Sequence, residues 1–141
     1  MISVAESYLL EYRELLSRIA SLEDKMAEAA VTGGTSDRLF GEKADLSRQA
    51  AAKKAELLGF IQGIGDDGDL RATRWRTALR LYYCELLSWG QIRGLLRPLV
   101  LRKGSPEPDL RKPAGISKTA MLRVREEALI AAEEALSNLS F

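Results

Sequence analysis

The chain of 141 residues contains no histidine, and its single cysteine is Cys84. Without histidine there is no imidazole for general acid–base chemistry, no Ser–His or Cys–His nucleophile pair and no histidine-bearing zinc site. One cysteine can make neither an internal disulfide nor an all-cysteine metal site, which excludes a disulfide-stapled secreted scaffold. Long apolar runs are also missing. The longest uncharged stretch is nine residues, 57–65, whereas a membrane helix needs about 20. Glu6 and Glu11 fall where a secretory signal would be apolar. These absences point to a soluble cytoplasmic protein with no metal and no cofactor, and away from an enzyme. What is present, 46% hydrophobic and 29% charged residues, suits a folded globular chain with a modest core.

The formal net charge of +1 conceals a strong division. Residues 1–70 carry eight Lys/Arg against thirteen Asp/Glu, residues 71–125 carry thirteen against three, and residues 126–141 carry four Glu and no base. The blocks are thus net −5, +10 and −4. A basic block between acidic flanks is the electrostatic footprint of a polyanion partner. The plainer alternative is a set of solvated helix faces whose arginines pair with the acidic flanks.

The acidic first block reads as two helices. Tyr8, Tyr12, Leu15, Ile19, Leu22, Met26 and Ala29 alternate spacings of four and three, a heptad seam, and Leu9, Leu10 and Leu16 widen it to a bundle-type stripe. Gly33-Gly34 should stop this helix near Val31. Ser36 or Asp37 caps a second helix, with Phe40, Leu46, Ala50, Leu57, Ile61 and Ile64 on one face. A short glycine turn between two long amphipathic helices predicts a long antiparallel helical hairpin over residues 1–69. Its stripes read as core, with a seam between copies of the chain as the alternative. Gly63, Gly65 and Gly68, set among Asp66, Asp67 and Asp69, break the second helix. No strand precedes them and three carboxylates would repel phosphate, so they form no nucleotide loop. They also lack the terminal glutamate of a calcium loop. They read as a turn that caps the next helix.

The second segment, residues 70–141, begins with a helix expected over 70–86, with Trp75, Leu79, Tyr82 or Tyr83, and Leu86 on its apolar face. Ser88 and Gln91 form a capping-box pattern that opens a short helix with Trp89, Ile92, Leu95 and Leu96 inward, ended by Pro98. Trp89 reads as a core anchor, with stacking on a base as the alternative; Cys84 reads as a small buried hydrophobe. Periodicity fails over residues 97–116, where Pro98, Pro106, Pro108 and Pro113 rule out a regular helix. Residues 99–101 and 109–111 suggest a small hairpin there. Ser117 then caps a last helix reaching about Leu136, with Met121, Val124, Ala128, Leu129, Ala132 and Leu136 inward. This helix is basic at its start and acidic at its end, the reverse of the macrodipole preference. Cations at the positive helix end attract an anion.

Arg76-Thr77, Leu79, Tyr83, Ser88-Trp89, Ile92 and Leu95, then Ser117, Met121-Leu122-Arg123-Val124 and Ala128-Leu129, resemble small phage transcription regulators of the ArpU/RinA type. Their DNA-reading part resembles a sigma-factor region-four helix-turn-helix. The resemblance implies a supporting helix at Ser88, a recognition helix at Ser117, a leading acidic hairpin, a bacterial host cytoplasm and late-gene promoters as targets. The chain departs from the family in two places: Tyr82 stands where the family often has arginine, and about twenty residues, 97–116, replace a turn of a few. Lengthening a surface loop costs little entropy, and the insertion could serve as a basic arm or wing.

The expectation is therefore an all-α protein, a helical hairpin followed by a helix-turn-helix module with a long loop insertion, that binds double-stranded DNA. Ser117, Lys118, Thr119 and Arg123 are the candidates for base edges, because a recognition helix enters the major groove by its N-terminal residues. Arg76, Arg80, Arg93, Arg97, Arg102, Lys103, Arg111, Lys112 and Arg125 are the candidates for phosphate contacts. The hairpin would make a homo-oligomer or meet RNA polymerase. Two further readings are a small terminase-like packaging subunit, marked by ring assembly, and a helical interaction module without DNA binding.

Overall fold

The computed structural model describes residues 3–34, 37–66 and 68–139. The fold is all-α apart from one two-stranded ribbon. In chain order it comprises α1 (Val4–Leu9), α2 (Glu11–Thr32), α3 (Asp37–Gln62), α4 (Leu70–Leu79), a π-helical turn (Arg80–Cys84), α5 (Trp89–Leu95), β1 (Leu99–Arg102), β2 (Ser105–Pro108) and α6 (Lys118–Asn138).

The expected first helix is two pieces hinged at Leu10, whose φ of −79° and ψ of −9° lie at the edge of the helical region. Hydrogen bonds from Leu10 N to Glu6 O and from Glu14 N to Leu10 O carry the chain across. Gly33, at φ +76°, ends α2 as a left-handed cap and donates to Ala29 O, the geometry glycine favours at a helix end. The proposed cap Ser36 lies outside the described residues; α3 starts at Asp37. The two helices run antiparallel, since Lys53 of α3 pairs with Glu11 at the start of α2 at 2.7 Å.

This pair is packed at its base and bare at its far end. No described residue between 23 and 49 is buried. Phe40, expected inward, is 59% exposed, because α2 alone cannot cover both sides of α3 there. Ala50, Leu57 and Ile61 are buried as expected, and Ile64 is buried just past the helix end.

The base joins the rest of the chain. One buried cluster unites Ala5 and Leu9 of α1, Leu57, Ile61 and Ile64, Leu79, Tyr83 and Cys84, and Ala128 and Ala132 of α6. It spans the expected boundary at residue 69. A second cluster, Ala78, Ile92, Leu96, Met121 and Val124, lies between α4, α5 and the first half of α6. Trp75, Tyr82 and Trp89 pack against both.

Asp69 caps α4 through its side chain, which accepts from Arg71 N at 3.0 Å. Asp67, in the same turn, lies outside the described residues. Gly65 is required here: at φ +73° a Cβ would fall 2.5 Å from Ala72 Cβ.

The helix expected over 70–86 ends early. It widens into the π turn after Leu79, and Glu85 N bonds Arg80 O five residues back. Leu86 then turns left-handed (φ +63°) and is 40% exposed, so it is not on the apolar face. Leu87 N closes the turn on Leu81 O, six positions back, at 2.9 Å. The Ser88–Gln91 capping box forms as its spacing predicts. Leu95, expected inward, is 57% exposed.

Candidate nucleic-acid interface

The candidate interface is built around the start of α6. Ser117, extended at φ −68° and ψ 162°, accepts from Ala120 N at 3.1 Å and opens a 21-residue helix. Met121 and Val124 face the second core cluster. Helical periodicity then turns Lys118, Thr119, Leu122 and Arg123 outward, and all four are exposed. Among the described residues, no ion pair engages Lys118 or Arg123. Their charges add to the positive end of the helix dipole. Leu122, 57% exposed, escaped the sequence reading because an apolar residue beside Met121 is naturally assigned to the core.

The end of α5 and the start of α6 are adjacent despite the twenty residues between them. Ile116 N donates to Arg93 O at 3.0 Å and Gly115 N to Leu96 O at 2.7 Å. These bonds satisfy carbonyls that a helix end would otherwise leave unpaired, and they anchor the approach to α6.

The insertion is itself built. β1 and β2 pair antiparallel with Leu99 opposite Pro108 and Arg102 opposite Ser105. The second strand is therefore 105–108 rather than 109–111, because Lys103 (φ +51°) and Gly104 (φ +79°) make a two-residue turn. Positive φ at both central residues suits the right-handed twist of a hairpin. Asp109 is nearly buried, accepts from Arg111 N at 3.1 Å and donates its own N–H to Pro98 O at 2.8 Å. The turn tip carries Arg102 and Lys103, with Glu107 3.8 Å from Arg102.

The other expected phosphate residues divide by environment. Arg97, Arg111 and Lys112 are exposed on the insertion, and Arg97 Nη1 donates to Lys112 O at 3.2 Å. Arg93 is half-buried on α5. Arg76 is occupied: Nη1 donates to Ile64 O at 2.6 Å and Nη2 to Thr73 Oγ1 at 3.1 Å, closing the end of α3. Arg80, four residues on and the first residue of the π turn, is exposed. Arg125 is half-buried, its guanidinium 5.1 Å from the Trp89 ring centroid. The fold thus brings Arg123 and Lys112 to one cleft, leaves Lys118 and Thr119 exposed on the first turn of α6, and sets Arg76 and Arg80 apart.

Two arginines join that group without having been singled out by the sequence. Arg71 and Arg74 line an open cleft of about 680 Å³ between α4 and the start of α6, together with Lys112, Ser117 and Arg123. Burial pulls Arg74 below the usual arginine range, and the nearby Glu127 carboxylate opposes that shift. Their place on the side of α4 that lines the cleft distinguishes this pair from Arg76 and Arg80.

Among the described residues no group of three acidic or cysteine side chains could hold a metal ion, and no helix is long and apolar enough to cross a membrane. No protein-family model, curated protein or solved structure matches the chain.

Proposed function

We propose that the chain is a DNA-binding transcriptional regulator of a phage or prophage, in which α5 supports and α6 reads the major groove as a helix-turn-helix. The observation that carries this reading is the exposed trio Lys118, Thr119 and Arg123 on the first turns of a Ser117-capped helix. Arg123 has the planar fork that pairs with a guanine edge, Lys118 and Thr119 can reach base acceptors, and Leu122 offers an apolar contact for a thymine methyl. The Ser117 oxygen accepts from Ala120 N in the cap, which leaves its proton and one lone pair for an outside partner. The ribbon tip, Arg102 and Lys103, acts as a wing on the backbone, with Arg97, Arg111 and Lys112 beside it.

The acidic residues 1–70 are unsuited to a DNA face. The bare end of the α2–α3 pair instead serves self-association or contact with RNA polymerase. Late-gene promoters as targets rest on the resemblance to phage regulators. The test is binding of the full chain to duplexes from phage late-promoter regions and to shuffled duplexes over a salt series. A preference for promoter DNA and a steep loss of affinity with salt are expected. No preference, or no salt slope, overturns the reading.

A further inference from the structure

The cleft between α4 and α6 brings cations together from three separate parts of the chain: Arg71 and Arg74 from α4, Lys112 from the insertion and Arg123 from α6. Among the described residues Glu127 is the only acid in its lining, and that carboxylate already accepts from Trp75 Nε1 at 3.2 Å. None of the four cations has an ion-pair partner among the described residues. Arg74 Nη2 is buried with no hydrogen-bond partner among them. A partly desolvated guanidinium with one buried, unpartnered nitrogen, beside three more cations and a single carboxylate, is costly unless an anion completes the site.

We infer that this cleft is a phosphodiester clamp, holding a backbone phosphate of the strand that borders the groove entered by α6. The inference rests on the DNA-binding reading above. Donors approaching from α4, α6 and the insertion suit a tetrahedral phosphate better than a planar carboxylate, which one arginine can satisfy alone. A volume of about 680 Å³ also leaves room for the sugars on either side. A phosphate held there fixes the register of Lys118, Thr119 and Arg123 on the bases, since backbone contacts position and base contacts specify. It also gives the insertion a purpose, because the insertion delivers Lys112.

The experiment is a salt series of full-chain binding to a short fluorescent duplex of random sequence, using wild type, Arg71→Gln, Arg71→Gln/Arg74→Gln and the remote control Arg48→Gln. Losing the clamped phosphate should lower the slope of log affinity against log salt by up to about 0.9 in the double variant and by part of that in Arg71→Gln, with affinity near 0.1 M salt falling by up to roughly tenfold and the control unchanged. Circular dichroism checks folding, and Arg71→Gln alone, at an exposed position, decides the matter if the double variant unfolds. Wild-type binding with an unchanged slope in the clamp variants overturns the clamp and leaves the DNA reading intact. An equal loss in Arg48→Gln also overturns it, as a general charge effect. No duplex binding by wild type overturns both. Calorimetry with inorganic phosphate alone separates the remaining source: binding that the clamp variants abolish, with duplex affinity untouched, makes the ligand free phosphate and overturns the backbone assignment.

Discussion

Tyr82 and Trp89 stack nearly parallel, with ring centroids 4.1 Å apart and planes 11° from each other. A cation contacts each ring. The Arg13 guanidinium lies 4.3 Å from the Tyr82 ring centroid, and its Nη2 donates to Tyr82 O at 2.8 Å. Arg125 lies 5.1 Å from the Trp89 ring centroid. Four planar groups from α2, the π turn, α5 and α6 are thereby coupled. A π turn adds a residue to the helical repeat, and here it carries both Tyr82 and Tyr83, which meet Trp89 from two directions.

Removing the centre of this stack should cost most. Trp89→Ala is expected to lower stability by about 3–5 kcal/mol, and Trp89→Phe by much less, in urea unfolding followed by circular dichroism. Arg125→Gln should cost about 0.5–2 kcal/mol, the range of a cation–π contact. If Arg125→Gln leaves stability unchanged but reduces the salt dependence of DNA binding, Arg125 is a phosphate contact and the stack does not need it.

Arg76 should behave as a structural residue. Its guanidinium satisfies the Ile64 carbonyl beyond the end of α3. Arg76→Gln leaves that partly buried oxygen without a charged donor, a loss of about 1–3 kcal/mol. The DNA salt slope should stay at the wild-type value. A normal melting temperature with a reduced slope would return Arg76 to the phosphate contacts.

Most of the helices were legible because their signals are local. Ser88 with Gln91 and Ser117 cap the helices they were expected to cap, Gly33 ends the helix it was expected to stop, and Asp69, within the turn expected to cap the next helix, is the residue that does so. The misses are tertiary. Phe40 and Leu95 satisfy the apolar period yet have no neighbour to cover them. Nothing in residues 79–87 announces a π turn, so Leu86 was assigned to the wrong side. The reversed charge order of α6 has a long-range cause as well. Glu133 accepts from Ala5 N at the start of α1, and Glu127 holds the Trp75 indole. Those carboxylates serve other elements, at a small cost to the dipole of their own helix. In the candidate interface, Lys118, Thr119 and Arg123 follow from one cap and one period. The grouping of Arg71 and Arg74 with Arg123 depends on helix packing that spacing alone does not encode.

Three glycine-to-alanine changes should give opposite results. Gly65→Ala combines a left-handed backbone with a 2.5 Å approach to Ala72, and should destabilise by well over 1 kcal/mol. Gly104→Ala meets open space but keeps φ +79°, so about 1 kcal/mol is expected. Gly59→Ala, exposed within α3 with nothing within 4 Å, should stabilise by about 0.5–1 kcal/mol. Thermal unfolding of the three variants checks the order.

Stability should fall at alkaline pH. Burial, reinforced by the Glu56 carboxylate that accepts from its hydroxyl at 2.7 Å, pushes Tyr8 up to about 12. Burial, with the Glu6 and Tyr82 charges adding to it, does the same for Tyr83. Both values lie above the usual 10, so the fold favours the protonated phenols. Their contribution is complete below pH 10 and is lost as pH rises towards 12. The urea midpoint should drop across that window, and Tyr8→Phe with Tyr83→Phe should flatten the drop. Glu56 has the opposite sign. Its hydrogen bonds from Tyr8 and Lys53 hold it below the usual carboxylate range, so its contribution is present above the ordinary glutamate value and disappears as acid protonates it. A midpoint that stays level from pH 10 to 12 would contradict the tyrosine assignment.

Reading and holding should separate by variant. Lys118→Ala and Thr119→Ala remove groups that face outward from the first turn of α6 without touching its Ser117 cap or its core side. They should therefore leave the melting temperature unchanged. Each should reduce discrimination between the preferred duplex and single-base variants by about 1–3 kcal/mol at the base pair it reads. Lys103→Ala, at the tip of the ribbon, should weaken binding to every duplex by a similar factor and lower the salt slope by about 0.9. Selection from a randomised duplex pool with each variant provides the comparison. A specificity change with Lys103→Ala and none with Lys118→Ala or Thr119→Ala would make the ribbon the reading element and α6 the backbone contact.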